Sequence, residues 1–201
     1  MSPATVTQSG VRSISDLRGK RVIVGAPGSG TEVDARQVLK AYGLTYADLK
    51  VDYLGFAEAV QRLKDRQTDA AFVSAGFPTA SIMELSAQTG VVILPITGKG
   101  RDVLLRSAPY YVQAVIPAGT YKGVGKIRTV SVGAQWLVDA KIDDDLVYGV
   151  TRALWHKNTR HLLESGHRNA RLIRIKTALS GIAIPLHPGA RRYYREAGLI
   201  K

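Results

Sequence analysis

The segment Gly25-Ala-Pro-Gly-Ser-Gly-Thr31 lies between the apolar run Arg21-Val-Ile-Val24 and an amphipathic stretch from Glu32 to Tyr42. An apolar run of that length bounded by glycine reads as a buried strand, and the stretch behind it as a helix. Gly28 and Gly30 can take backbone angles that other residues resist and leave the amides unscreened. The helix N-terminus behind them carries roughly half a positive charge. A carboxylate or phosphate would be stabilised at such a turn. Ser29 and Glu32 also fit a capping box, with Ser29 accepting from an early helix amide and Glu32 reaching back. Both uses are compatible with the same residues. The turn has no Gly-Lys-Ser/Thr, and its spacing G-x-x-G-x-G is not the dinucleotide fingerprint, so nucleotide chemistry is set aside.

Other residues that could do chemistry have plainer readings. His156, His161 and His167 are spaced by five and six, which puts no pair on one helix face, so they read as solvated rather than as a metal site or general base. His187, between Leu186 and Pro188, suits local hydrogen bonding at a helix start. Ser29 and Ser74 lack the G-x-S-x-G elbow, which argues against a serine hydrolase. Asp143, Asp144 and Asp145 are adjacent and lack the calcium-loop pattern, so they read as a helix cap and first-turn acids. Trp136, Trp155, Tyr110 and Tyr111 are expected in core or hinge packing, where an aromatic can also cover the aliphatic part of a ligand. No catalytic residue, metal or cofactor is expected.

The elements that must position these residues can be read from periodicity. After a polar lead-in, Ser13–Gly19 forms a short helical turn into the strand at Arg21–Gly25, and Gly43 ends the helix that follows. Val51–Leu54 is a second strand, Phe56–Arg66 a helix, and Ala70–Val73 a third strand. Helical connections of this length favour parallel strands with right-handed crossovers, hence an open α/β sheet with helices on both faces and binding at the strands' C-terminal ends. Two turns fall there: Ala26–Thr31, and Ser74-Ala-Gly-Phe-Pro78, which leads into a helix at Thr79–Gln88. One small anion could touch both. Val91–Pro95 and Tyr111–Ile116 are further strands, and Arg128–Val138 is an extended run. Beyond it the texture turns helical, over Leu146–Trp155, on to Gly166, and from Pro188 to Gly198.

At 201 residues and 45% hydrophobic content the chain can bury a real core. It contains no cysteine, which removes disulfides and thiol chemistry. The net charge of +12 is concentrated in the last fifty residues, at positions such as Lys157, Arg171, Arg174, Arg191 and Arg195. These charges are interleaved with Leu, Ile, Ala and Tyr, without a nucleic-acid-binding signature, and read as a solvated basic face; no nucleic-acid partner is expected. No run is long enough to span a membrane, and the first residues carry neither a basic start nor an apolar middle, so no export signal is read in this chain.

Several segments together resemble the TAXI-type solute receptors of TRAP transporters. They are Asp16-Leu-Arg-Gly-Lys-Arg-Val22, Gly25-Ala-Pro-Gly-Ser-Gly-Thr-Glu-Val33, Ala41-Tyr-Gly-Leu44, Phe56-Ala-Glu-Ala59, Asp69-Ala-Ala-Phe-Val73, Ala75-Gly-Phe-Pro78, Ile116-Pro-Ala-Gly-Thr-Tyr-Lys-Gly123, Asp145-Leu-Val-Tyr148 and Ile184-Pro-Leu-His-Pro-Gly-Ala190. The resemblance implies a periplasmic-binding-protein-like fold of type II: a two-lobed, extracytoplasmic clamp that closes on a small carboxylate such as glutamate or a dicarboxylate and delivers it to a membrane permease. It implies ligand contacts from Ser29, Gly30 and Thr31, with Ser74, Ala75, Gly76 and Phe77 beside them. It further implies that residues 10–127 form a complete second lobe and 128–201 the returning hinge strand and C-terminal helices of an incomplete first lobe, the chain being truncated at its N-terminus. Apolar helix faces in 140–200 would then be exposed or repacked. An enzyme on the same architecture acting on an anionic substrate, a ligand sensor and a non-functional fragment are the alternatives.

Overall fold

The computed structural model describes residues 2–7, 10–166 and 168–201. The chain forms two compact units, Met1–Val132 and Gly133–Lys201. In the first, strands β1 (Ser2–Thr7), β2 (Arg21–Ile23), β3 (Lys50–Asp52), β4 (Ala70–Ala75) and β5 (Val92–Leu94) make one sheet in the order β3-β2-β4-β1-β5. β2 runs parallel to β3 and to β4, with Val22 opposite Ala70 and Ile23 opposite Ala71. β1 is antiparallel to both β4 and β5. Helices α1 (Gly30–Ala41), α2 (Phe56–Lys64), α3 (Ala80–Gln88) and α4 (Gly98–Ser107) connect and cover the sheet, and β6 (Tyr111–Ile116) pairs with β7 (Ile127–Val132) as an antiparallel ribbon. This is the expected α/β architecture, a parallel-rich sheet covered by helices on both faces.

The strand sequences explain why both faces of the sheet are covered. Successive side chains point to opposite faces. Val22, Val24, Ala70 and Phe72 meet Val38 and Leu39 of α1 and Leu104 of α4 in one cluster. Ile23, Ala71 and Val73 meet Val60 and Leu63 of α2 and Ile82 and Leu85 of α3 in another. A strand apolar at every position, as in Ala70-Ala-Phe-Val73, is what a sheet buried on both sides requires. Each fully buried Leu, Ile or Phe here contributes about 1.5–3 kcal/mol of transfer free energy.

Two elements depart from the expected layout. The polar lead-in is instead β1, set inside the sheet. Pro3 has no amide to give a ladder, and it lies where β1 extends past β5, whose register covers only Thr5–Thr7. The stretch from Thr97 to Ser107, which carries Gly98 and Gly100 in its first turn, is helix α4. Gly100 has a packing reason: a Cβ there would come within 2.5 Å of the Tyr42 ring. The Tyr42 hydroxyl holds the same junction, donating to the Thr97 carbonyl and accepting from the Thr97 amide, each at 2.8 Å.

Arg21 opens β2 and grips Asp69, which precedes β4. The Asp69 carboxylate accepts from the Arg21 amide at 2.9 Å and from its guanidinium at 2.8 Å. The Arg21 hydrogen bonds hold the Asp69 carboxyl below its ordinary value of 3.8. A depressed folded-state value contributes stability that is fully present above the unfolded value and is lost as pH falls through the folded one. Acid titration of wild type and Asp69→Asn is therefore expected to converge below about pH 4, with wild type more stable above it; parallel curves down to pH 2 would contradict this.

In the second unit, α5 (Asp144–Leu154), α6 (Lys157–Gly166) and α7 (Pro188–Glu196) follow an irregular stretch after Val132, so the extended run stops six residues short of Val138. Asp143 caps α5, its Oδ1 accepting from the Leu146 amide at 2.9 Å. His187 caps α7, its Nδ1 accepting from the Gly189 amide at 3.2 Å. His167 lies outside the described residues. α5 and α7 cross closely at Gly189 and are tied by Tyr148 to Glu196 at 2.7 Å, Arg192 to Asp145 at 2.7 Å and the Trp155 indole to the Tyr194 hydroxyl at 3.2 Å. Trp136 corrects the expectation of core or hinge packing: it is 72% exposed, beside exposed Leu137. Leu146, Leu162 and Leu172 are exposed as well. No helix among the described residues is long and apolar enough to cross a membrane.

Candidate functional site

The glycine turn and the Ser74 turn both leave the C-terminal ends of parallel strands, β2 and β4, which are neighbours in the sheet. Gly25 has φ +101°, open to glycine alone, and a Cβ there would sit 2.8 Å from Thr31 Cβ and 3.0 Å from Ser29 Oγ. The chain can fold back so tightly over the start of α1 only because position 25 has no side chain. Gly28 also has positive φ, +69°, but open space around it.

Ser29 caps α1, its Oγ accepting from the Glu32 amide at 3.2 Å. Only that half of the expected capping box forms. Glu32 turns away to pair with Arg36 at 2.6 Å and to accept from the Tyr46 hydroxyl at 3.0 Å. Its charge is thus neutralised at the side of the helix instead of closing over the first amides. Among the described residues no acceptor engages the amides of Gly30 and Thr31. Gly30 is exposed and Thr31 is buried.

The two turns are joined by hydrogen bonds. The Ser74 amide donates to Thr31 Oγ1 at 3.3 Å, and the Ser74 hydroxyl donates to Asp34 Oδ2 at 2.6 Å. Asp34 Oδ1 accepts from the Tyr111 hydroxyl at 2.5 Å. Burial, reinforced by this bond to Asp34, pushes the Tyr111 hydroxyl well above the ordinary tyrosine value, so Tyr111 remains a donor throughout the physiological range. α1, β4 and β6 thereby meet at one buried carboxylate.

Of the residues expected beside the anion, Ser74 lies against Thr31. Ala75 and Phe77 send their side chains to the opposite face of the sheet, where they line a recess of about 10 Å³ with Val73, Ile82, Ile116 and Tyr121. Gly76 is exposed, and its carbonyl accepts from the Thr79 hydroxyl at 3.0 Å. Asp34 and Tyr111 complete the site but were not expected in it. The available signal was an acid at position 34 on the inward stripe Thr31, Ala35, Val38, where a lone carboxylate requires buried donors.

The chain is similar to several solved structures, the first of which shares its fold. The periplasmic aliphatic sulphonate-binding protein SsuA of Escherichia coli matches over 96% of this chain and 51% of its own length, with 17% identity and a TM-score of 0.50. The alkanesulfonate-binding protein SsuA of Xanthomonas axonopodis pv. citri, bound to MOPS, matches over 96% and 55%, with 20% identity and a TM-score of 0.44. A putative sulfonate-binding SsuA of Methylobacillus flagellatus KT matches over 98% and 59%, with 15% identity and a TM-score of 0.44. The chain spans about half the length of the structures it matches. A family description covers residues 3–198, nearly the whole sequence. With the mixed sheet, the glycine turn and this extent of match together, the chain belongs to the NMT1-like family.

Proposed function

We propose that this chain captures a small organic acid as the solute-binding component of a membrane transporter, on the extracytoplasmic side, and that it is not an enzyme. The observation that carries the reading is the join between the two turns, with the unengaged amides of Gly30 and Thr31 beside Ser74. Helix-terminal amides favour a carboxylate or sulfonate there. Ser29, Gly30 and Thr31 hold the acid group, with Ser74 and the backbone of the turn at Gly76 flanking it, while the side chains of Ala75 and Phe77 face the other side of the sheet. The structural likeness to sulfonate-binding proteins supports the fold on which such capture is built. The resemblance to TAXI receptors supports a TRAP-type permease as partner and glutamate or a dicarboxylate as cargo. On this reading residues 10–127, with β1 added to the sheet, form one lobe of a clamp, and 128–201 the hinge strand and C-terminal helices of the other.

Thermal shift tests the reading. Glutamate, glutamine, 2-oxoglutarate, C4-dicarboxylates and ethanesulfonate are each added at 10 mM to wild type and to the Ser29→Ala, Thr31→Ala double variant. A ligand of about millimolar affinity stabilises by about 1.4 kcal/mol at that concentration, a rise of about 3 °C. At least one acid is expected to raise the wild-type melting temperature and to lose most of that effect in the variant. A wild-type melt indifferent to every acid would refute the site.

A further inference from the structure

Helix α5 is packed on one side only. Val147 and Thr151 are buried, and Tyr148 on the same side reaches Glu196 of α7. The opposite side carries Leu146, Gly149, Val150 and Ala153, all exposed, with Leu146 at 59% and Val150 at 43%. Exposed Ile142 precedes the helix in the same spacing. Positions 142, 146, 149 and 153 step by four, three and four, the spacing of a seam at which two helices pack side by side. Gly149 lies in the middle of that seam. A Cβ there would meet nothing within 4 Å, so the fold of a single copy gives no reason for a residue that weakens a helix interior. Its lack of a side chain lets a second backbone come close.

The charges beside the seam say which second backbone fits. Asp145 and Arg152 are seven residues apart, hence on one flank of α5. Arg192 touches one oxygen of Asp145, whose side chain is nevertheless 82% exposed. Arg152 is exposed and pairs with no carboxylate among the described residues. The helix thus begins with the acids Asp143, Asp144 and Asp145 and ends with Arg152, with exposed Lys157 just beyond it. Two such helices laid antiparallel place each Asp145 beside the other Arg152 and oppose the two helix dipoles. Laid parallel, they would bring acid against acid and base against base.

We propose that the chain self-associates as a two-fold dimer through α5, the helices of the two copies running antiparallel with their backbones closest near Gly149. The occupant of the apolar stripe is a second copy because both complementary charges lie on the same helix, so the surface is complementary to itself, as a two-fold interface requires. The proposal stands on α5 alone and is independent of the capture reading.

Sedimentation of the whole chain tests it. A pair of three-turn helices buries less than the roughly 1,200 Å² of a standard interface, so the dimer is weak. Wild type is expected to sediment as a monomer at about 10 µM and mainly as a dimer at about 500 µM. Leu146→Glu, an acid in the first turn of an exposed helix face, keeps the fold and is expected to remain monomeric throughout. Arg152→Asp and Asp145→Arg each set like charges across the two-fold and are expected to weaken association about tenfold when alone. Mixed in equal amounts, these two variants regain opposite charges at both contacts and are expected to associate as wild type does. Circular dichroism melts check that every variant is folded. A wild type that stays monomeric at all concentrations, association that survives Leu146→Glu, or a mixture no stronger than either variant alone overturns the inference.

Discussion

Gly25→Ala is expected to remove ligand response altogether and to lower the melting temperature by 5 °C or more. A side chain at φ +101° costs about 1–3 kcal/mol in backbone strain alone. The added Cβ would also lie 2.8 Å from Thr31 Cβ and 2.9 Å from Thr31 Cγ2, closer than carbon atoms tolerate. Thr31 is buried and bonded to the Ser74 amide, so it cannot yield without parting the two turns. Gly28→Ala is the matched control. It carries a similar φ penalty at +69° but meets nothing within 4 Å, so it should destabilise by only about 1 kcal/mol and keep ligand response. Circular dichroism melts with and without ligand separate the two variants. If Gly25→Ala and Gly28→Ala behave alike, the close approach of Gly25 to Thr31 is irrelevant to the site.

The second large effect belongs to Gly189→Ala. A Cβ at Gly189 would overlap the Asp144 carbonyl oxygen and lie 2.8 Å from the Tyr148 amide nitrogen, both backbone atoms of α5. Backbone cannot rotate aside as a side chain can, so α7 must withdraw. The Tyr148–Glu196, Arg192–Asp145 and Trp155–Tyr194 contacts are then strained or broken together. Overpacking of this kind costs about 3 kcal/mol. The second unit buries few large side chains, Val147 and Tyr194 among them, and has little reserve. Hydrogen exchange is expected to show protection lost across Asp144–Leu154 and Pro188–Glu196. Unchanged exchange there would show that α5 and α7 do not depend on this crossing.

Where local pattern and tertiary demand coincide, the elements were legible in advance. Val22–Val24 and Ala70–Val73 are unbroken apolar runs, and α1 is bracketed by Ser29 at its cap and Gly43 just past its end. β1 was not legible, because Ser-Pro-Ala-Thr-Val-Thr has no hydrophobic run and only Ala4 and Val6 to mark an alternation; its conformation comes from partners on either side. α4 was hidden by Gly98 and Gly100, residues that oppose a helix locally; at Gly100 the Tyr42 ring needs the space, and Gly98 has φ +65°. At the site, the two turns at strand C-terminal ends followed from the α/β pattern, whereas the hydrogen bond of the Ser74 amide to Thr31 Oγ1 is found only in the structure. Nor was Asp34 legible, since an acid on a helix ordinarily faces water, and its buried partners, the hydroxyls of Ser74 and Tyr111, come from strands 40 and 77 residues away.

The place of β1 also bears on how the chain is made. It leaves the ribosome before every strand it will touch, yet its ladder is completed by residues 70–75 and 92–94. Until residues 70–75 have emerged β1 has no partner, and once it pairs with β4 its other edge stays uncovered until residues 92–94 arrive. Such an edge is where nascent chains find wrong partners. About ninety residues of synthesis separate β1 from its last partner, and over that span the sheet has an open edge.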